Sequence, residues 1–121
     1  MKVIIAGTRV VKDYSLVVQA VERSGYTITE VVSGCATGVD QLGEQWARAN
    51  GIPIKEMPAK WDRYGNSAGP MRNREMAEYA DAAIVIWDGK SRGTRNMIEN
   101  MIRRKKPYYI AMTSATLEDF I

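Results

Sequence analysis

The chain has 121 residues, 45% hydrophobic and 26% charged, with a formal net charge of +3, the composition of an ordinary globular protein, and residues 1–121 are expected to form one domain. It holds no histidine and one cysteine, Cys35, which excludes Ser-His and Cys-His nucleophile pairs, a His-bearing zinc site and an internal disulfide; no metal and no cofactor is expected. No apolar run nears the ~20 residues of a membrane span and the apolar start Met1–Gly7 is too short for a secretory signal, so a cytoplasmic protein without a membrane partner is expected.

Val3–Ala6 is a continuous apolar run closed by Gly7, the pattern of a strand buried on both faces. A helix is predicted from about Asp13 to Ser24, stopping at Gly25, and Thr29–Ser33 reads as the second strand. Thr37-Gly38-Val39-Asp40 matches a Ser/Thr-x-x-Asp/Glu capping pattern and opens a second helix, expected to bury Val39, Leu42, Trp46 and Ala49 and to end at Asn50-Gly51. Pro53–Met57 is the third strand, followed by a long loop, Pro58–Gly69. A third helix opens at Gly69-Pro70, with proline in the first turn where its missing N–H costs nothing, and carries the inner stripe Met76, Ala77 and Ala80. Ala82–Trp87 is the longest apolar run and ends at Asp88-Gly89. A fourth helix begins near Gly93-Thr94; Thr94, Met97, Ile98, Met101 and Ile102 share one face of it, and Pro107 ends it. Tyr108–Met112 is the fifth strand, and Thr116 and Asp119 are spaced to cap a last short turn.

Strands and helices alternate throughout, which predicts an α/β, three-layer Rossmann-like fold with right-handed crossovers and a parallel five-stranded sheet. The most apolar strands, the first and fourth, belong at the centre. A strand order 3-2-1-4-5 achieves this and puts a topological switch point between them.

Ligands of such sheets bind outside the carboxyl ends of the strands. The loops there, Gly7–Lys12, Ser33–Gly38, Pro58–Gly69 and Asp88–Gly93, hold seven of the ten glycines. Neither the dinucleotide G-x-G-x-x-G nor the Walker G-x-x-x-x-G-K-[ST] is present. Instead, Gly34–Gly38 and Gly89–Gly93 each form a strand–Gly-x-x-x-Gly–helix element that aims a helix N-terminus at one rim. Each such terminus favours an anion by ~0.3–1 kcal/mol when exposed. With Arg9 and Arg72 they can hold a phosphate, and Gly7, Thr8, Ser33, Gly34, Ala36, Thr37, Gly38, Asp88, Gly93 and Thr94 are expected around it.

Several side chains admit two readings. Asp40 is a general base or ribose ligand, or simply completes the Thr37 cap. Asn73 contacts ligand or braces loops, or is a satisfied structural amide. Arg72 and Arg9 bind an anion or form surface salt bridges. Cys35, without a local base, reads as a small buried residue that lines the pocket rather than as a nucleophile. Trp61 and Tyr64 stack on a base or plug their own loop. Met97 and Met101 read as core. Residues 90–106 carry seven Lys/Arg against Glu99 alone; Arg103–Lys106 fits a charge cluster at a helix C-terminus better than a nucleic-acid patch.

Four segments in this spacing, Ser33–Asp40, Trp61–Gly65, Ala68–Met76 and Trp87–Thr94, together resemble the SLOG superfamily, and above all its small YspA/cpYpsA-related branch, from Lys2 to about Met112. The resemblance implies a Rossmann-like domain associated with nucleotides or nucleotide-derived ligands, acting as a sensor or sequestering module. It also reaches the LOG phosphoribohydrolases, which implies N-glycosidic hydrolysis of a nucleoside monophosphate as an alternative, and the DNA-binding DprA proteins, which implies single-stranded DNA binding as another. LOG enzymes carry an arginine where Arg72 stands and a P-G-G-x-G-T-x-x-E motif with a catalytic Glu. Gly93-Thr94 match that motif, but its Glu position is Met97, and Glu99 falls on another face; no catalytic residue is therefore assigned, with Asp40 and Arg72 the candidates. The edge strand Tyr108–Met112 and the apolar tail Phe120-Ile121 leave a homodimer open.

Overall fold

The structure, a computed structural model, describes residues 1–114; the turn expected at Thr116–Asp119 and the tail Phe120-Ile121 lie outside the described residues. Along the chain come β1 (Lys2–Gly7), α1 (Tyr14–Ser24), β2 (Glu30–Ser33), α2 (Val39–Ala49), β3 (Ile54–Glu56), α3 (Trp61–Tyr64), α4 (Ala68–Tyr79), β4 (Ala82–Trp87), α5 (Arg92–Arg103) and β5 (Tyr108–Met112). All five strands are parallel, in the order β3-β2-β1-β4-β5. The two apolar runs thus sit side by side at the centre, with Ile5 paired to Ile84 and Gly7 to Ile86.

Alternate side chains of the central strands feed two cores, because successive residues of a strand point to opposite faces. Val3, Ile5, Val31 and Ile84 pack with Val17, Ala20, Val39 and Ala47 of α1 and α2. Ile4, Val32, Ala83 and Val85 pack with Met76, Ala77, Met97 and Met101 of α4 and α5. Each Val, Ile or Met among them, fully buried, contributes about 1.5–3 kcal/mol. The polar start of α1 is fixed locally: the Asp13 carboxylate accepts the Ser15 N–H at 3.0 Å, and Gly25 stops the helix in the left-handed region at φ 71°.

Three expectations are corrected. In α2, Ala49 is exposed, and Gly43 and Ala47 are buried instead; Gly43 is there because a Cβ would stand 2.7 Å from Ile5 Cγ2. In α5, Ile102 is 52% exposed while Asn100 is buried. That helix packs against α4 as well as the sheet, so its buried arc is turned from the Ile102 flank toward the Asn100 flank. Finally, the stretch expected as loop between β3 and the next helix contains α3 and a 3-10 turn at Gly65–Ser67. Among the described residues, no helix is long and apolar enough to cross a membrane.

Candidate functional site

The carboxyl ends of β1 and β4 meet at the switch point, and backbone contacts fix their loops. A Cβ on Gly7 would stand 2.0 Å from the Ile86 carbonyl oxygen, so only glycine lets the central strands stay paired to their ends. Beyond it the Thr8 N–H donates to the Ile86 carbonyl at 3.0 Å, and Thr8 Oγ1 accepts the Asp88 N–H at 3.1 Å. Asp88 Oδ1 in turn accepts the N–H groups of Lys90 and Ser91, each at 2.8 Å. Thr8 and Asp88 therefore shape the rim without facing its cleft.

On the β2 side, Ser33 is buried, donates to Glu44 Oε2 at 2.6 Å and accepts the Cys35 N–H at 3.1 Å. This bond holds Cys35 at φ 63°, where non-glycine residues are uncommon. Burial, with Glu44 and Glu56 nearby, pushes the Cys35 thiol pKa up, the wrong direction for a nucleophile. The capping box expected at Thr37–Asp40 does not form. Gly38 is the N-cap, at φ 77° and with a Cβ position only 2.4 Å from the Arg9 carbonyl oxygen, so Asp40 is the second helical residue and not the third. Its carboxylate turns back instead, and Oδ2 accepts the Ala36 N–H at 3.2 Å.

Arg72 and Asn73, in the first turns of α4, tie this wall to the opposite one. Arg72 Nη1 donates to the Gly34 carbonyl and Nε to Asn73 Oδ1 at 3.0 Å. A Cβ on Gly34 would stand 2.4 Å from that Nη1 and 2.9 Å from Asp40 Oδ2, so glycine is required between them. Asn73 Nδ2 donates to the Gly93 carbonyl and to Asn96 Oδ1, both at 3.1 Å. Of the readings open for Asn73, these bonds are those of a brace. At the start of α5 the Arg95 N–H makes the first helical bond, to Ser91, which leaves the N–H groups of Arg92, Gly93 and Thr94 without an intrahelical acceptor.

These walls enclose a notch of about 60 Å³ lined by Gly7, Arg9, Ala36, Asp40, Arg72, Asn73, Ser91, Gly93 and Thr94, with Met76 and Met97 also in contact. Wider hollows of about 310 and 330 Å³ adjoin it, and both are bordered by Arg9, Trp61 and Arg72. One adds Arg92, Gly93 and Asn96; the other adds Gly34, Cys35 and Thr37. Trp61 is 48% exposed, lies against Gly69 and has the Arg9 guanidinium 6.0 Å from its ring centre. Asp40 is only 5% exposed. Burial pushes its carboxyl up to about 6, against the opposing pull of the Ala36 N–H, Arg72 and Arg9, and the Glu44 charge adds to the rise. Burial also lowers the Arg72 pKa, although Asp40 counters it.

Of the residues expected around a ligand, Gly7, Arg9, Gly34, Cys35, Ala36, Thr37, Asp40, Trp61, Arg72, Asn73, Gly93 and Thr94 border this cleft, whereas Thr8, Ser33, Gly38 and Asp88 stand behind it as supports. Ser91, Arg92 and Asn96 were missed, although Ser91 and Arg92 lie within the Gly89–Gly93 loop that the glycine spacing marks. Met97, read as core, is buried and also reaches the notch. Tyr64 borders none of the three hollows and takes Arg63 over its ring at 5.2 Å. The basic cluster lies elsewhere: Arg104 bonds Asn100 and Glu78, and Lys106 Nζ donates to the carbonyls of Ala77, Glu78 and Ala80 at 2.7–2.9 Å.

Known proteins show the same kinship. The chain is 36% identical over 105 residues to the Gene 61 protein of Mycobacterium phage D29, a match covering 78% of this chain and 83% of that protein. No solved structure matches. The model of the YspA, cpYpsA-related SLOG family (YAcAr) matches residues 1–64, more than half of the sequence and both the β1 and β2 walls of the cleft. The chain belongs to the YspA, cpYpsA-related SLOG family.

Proposed function

We propose that the protein binds a nucleotide or nucleotide-derived molecule at the carboxyl ends of its strands, as a sensor or sequestering module. One observation carries this reading: three arginines, Arg9, Arg72 and Arg92, border the same hollow as the exposed Trp61 and the start of α5. Guanidinium groups and unpaired helix N–H groups are complementary to phosphate, and an indole face is complementary to a base. SLOG membership supports the same class of ligand. Calorimetry and thermal shift with nucleoside phosphates and ADP-ribose-like compounds test it. At least one member is expected to stabilise the protein, and Arg9→Ala to weaken that member about tenfold, since the Arg9 side chain is exposed and is not part of the hydrogen-bonded walls. No stabilisation by any member overturns the reading.

Asp40 supports a second reading, hydrolysis of the N-glycosidic bond of a nucleoside monophosphate. A carboxyl titrating near pH 6 beside a ligand cleft is suited to proton transfer close to neutral pH. Release of free base and ribose phosphate, lost on Asp40→Asn, is the expected signature; release at the uncatalysed rate leaves binding alone.

A further inference from the structure

We infer that the notch beside Asp40 receives the ribose of the ligand through its vicinal hydroxyls, so that the phosphate lies outside, against Arg9 and Arg92, and the protein selects ribonucleotides over deoxyribonucleotides. This rests on the nucleotide reading above and narrows it.

The two oxygens of Asp40 differ. Oδ2 accepts the Ala36 N–H, while among the described residues no hydrogen bond reaches Oδ1, and the residue borders the notch. Every buried side-chain polar atom among the described residues has a partner, so Oδ1, which has none, is accessible from outside the core, and a hydrogen bond to a charged group is among the stronger ones. The occupant that completes this site is therefore a donor. Phosphate is not one: its ionised oxygens only accept, and its charge would meet that of Asp40 at close range. Hydroxyl groups fit.

Size selects the same part of the ligand. About 60 Å³ holds a few water-sized groups, enough for the hydroxyl edge of a furanose and too little for a base. A vicinal diol needs a second partner, and one is in place. Ser91 Oγ and Thr94 Oγ1 stand 3.0 Å apart and border the same notch; hydroxyls both give and accept, so this pair can take the second ribose hydroxyl. The Asn73 amide has no hydrogen left to give, because its nitrogen holds Gly93 and Asn96, and its oxygen already accepts from Arg72. With the sugar so placed, the hollow bordered by Arg9, Arg92 and Trp61 is left for the charged and aromatic ends.

Calorimetry on the full chain at pH 8, with each of the four ribonucleoside 5′-monophosphates and its 2′-deoxy counterpart, decides the matter. The ribonucleotide that binds is expected to do so at least tenfold more tightly than its 2′-deoxy form. In Asp40→Asn the amide carbonyl stays with the Ala36 N–H and an NH2 group replaces the acceptor, so that ratio should fall severalfold. Equal affinity of ribo and deoxy forms for the unmodified protein overturns the inference while leaving the nucleotide reading intact. An undiminished ratio in a folded Asp40→Asn removes Asp40 from the role. Failure of all eight compounds to bind overturns this inference, and the nucleotide reading then stands or falls with the wider screen described above.

Discussion

The two rims of the sheet treat their polar groups in opposite ways. At the amino rim, charge and backbone are matched by the chain itself: Lys106 closes the carbonyl end of α4, the amino terminus donates to the Thr27 carbonyl, and the Lys2 N–H donates to Asp81. At the carboxyl rim a surplus remains. Among the described residues no hydrogen bond reaches Asp40 Oδ1 or the first N–H groups of α5, and the exposed Arg9 has only the Trp61 ring beside it, although every buried side-chain polar atom there is satisfied. A fold gains nothing in stability from such a surplus, so the contrast separates groups kept for the fold from groups kept for something that binds.

Substitutions that remove surplus should stabilise, and those that remove matching should destabilise. The largest effect is expected at Asp40. Its folded carboxyl keeps its proton up to about pH 6, whereas the ordinary value is 3.8; between these the folded state binds more protons, so stability falls as pH rises through the window and stays lower above it. Arg72 and Arg9 pull against this shift and Glu44 adds to it. Asp40→Asn should thus be more stable than the parent by on the order of 3 kcal/mol at pH 8, with the gain vanishing near pH 4, as read by urea unfolding across pH. A loss of stability at pH 8 would break the comparison. Lys106→Met, at the opposite rim, should cost about 1–2 kcal/mol and leave nucleotide affinity unchanged. Gly93→Ala has the smallest stability effect. A Cβ there meets nothing within 4 Å, so alanine should add about 0.5–1 kcal/mol through helix propensity. Because that space belongs to the cleft, the thermal shift produced by nucleotides should shrink in the same variant.

The architecture was legible because β1 and β4 are unbroken apolar runs, which only the middle of a parallel sheet can bury on both faces. Glycine spacing likewise located the rim. What could not be read depended on partners distant in sequence or on a frame shifted by one residue. Asn73 is a brace because Gly93, twenty residues on, offers its carbonyl. Asp40 misses the cap because Gly38, and not Thr37, takes the N-cap position. Helix α3 spans four residues, too few for any periodicity to show. Ile102 yields to Asn100 because α4, whose placement no local pattern reveals, rotates the buried arc.

Both walls of the cleft hang from one planar amide, with Arg72 on its oxygen and the α5 backbone on its nitrogen. The gap between them is consequently set by the span of a single asparagine side chain, as by a gauge block, and not by the breathing of loops. A receptor built to a fixed gauge loses little freedom on capture, so discrimination among ligands should appear in how slowly the right one leaves rather than in how fast it enters.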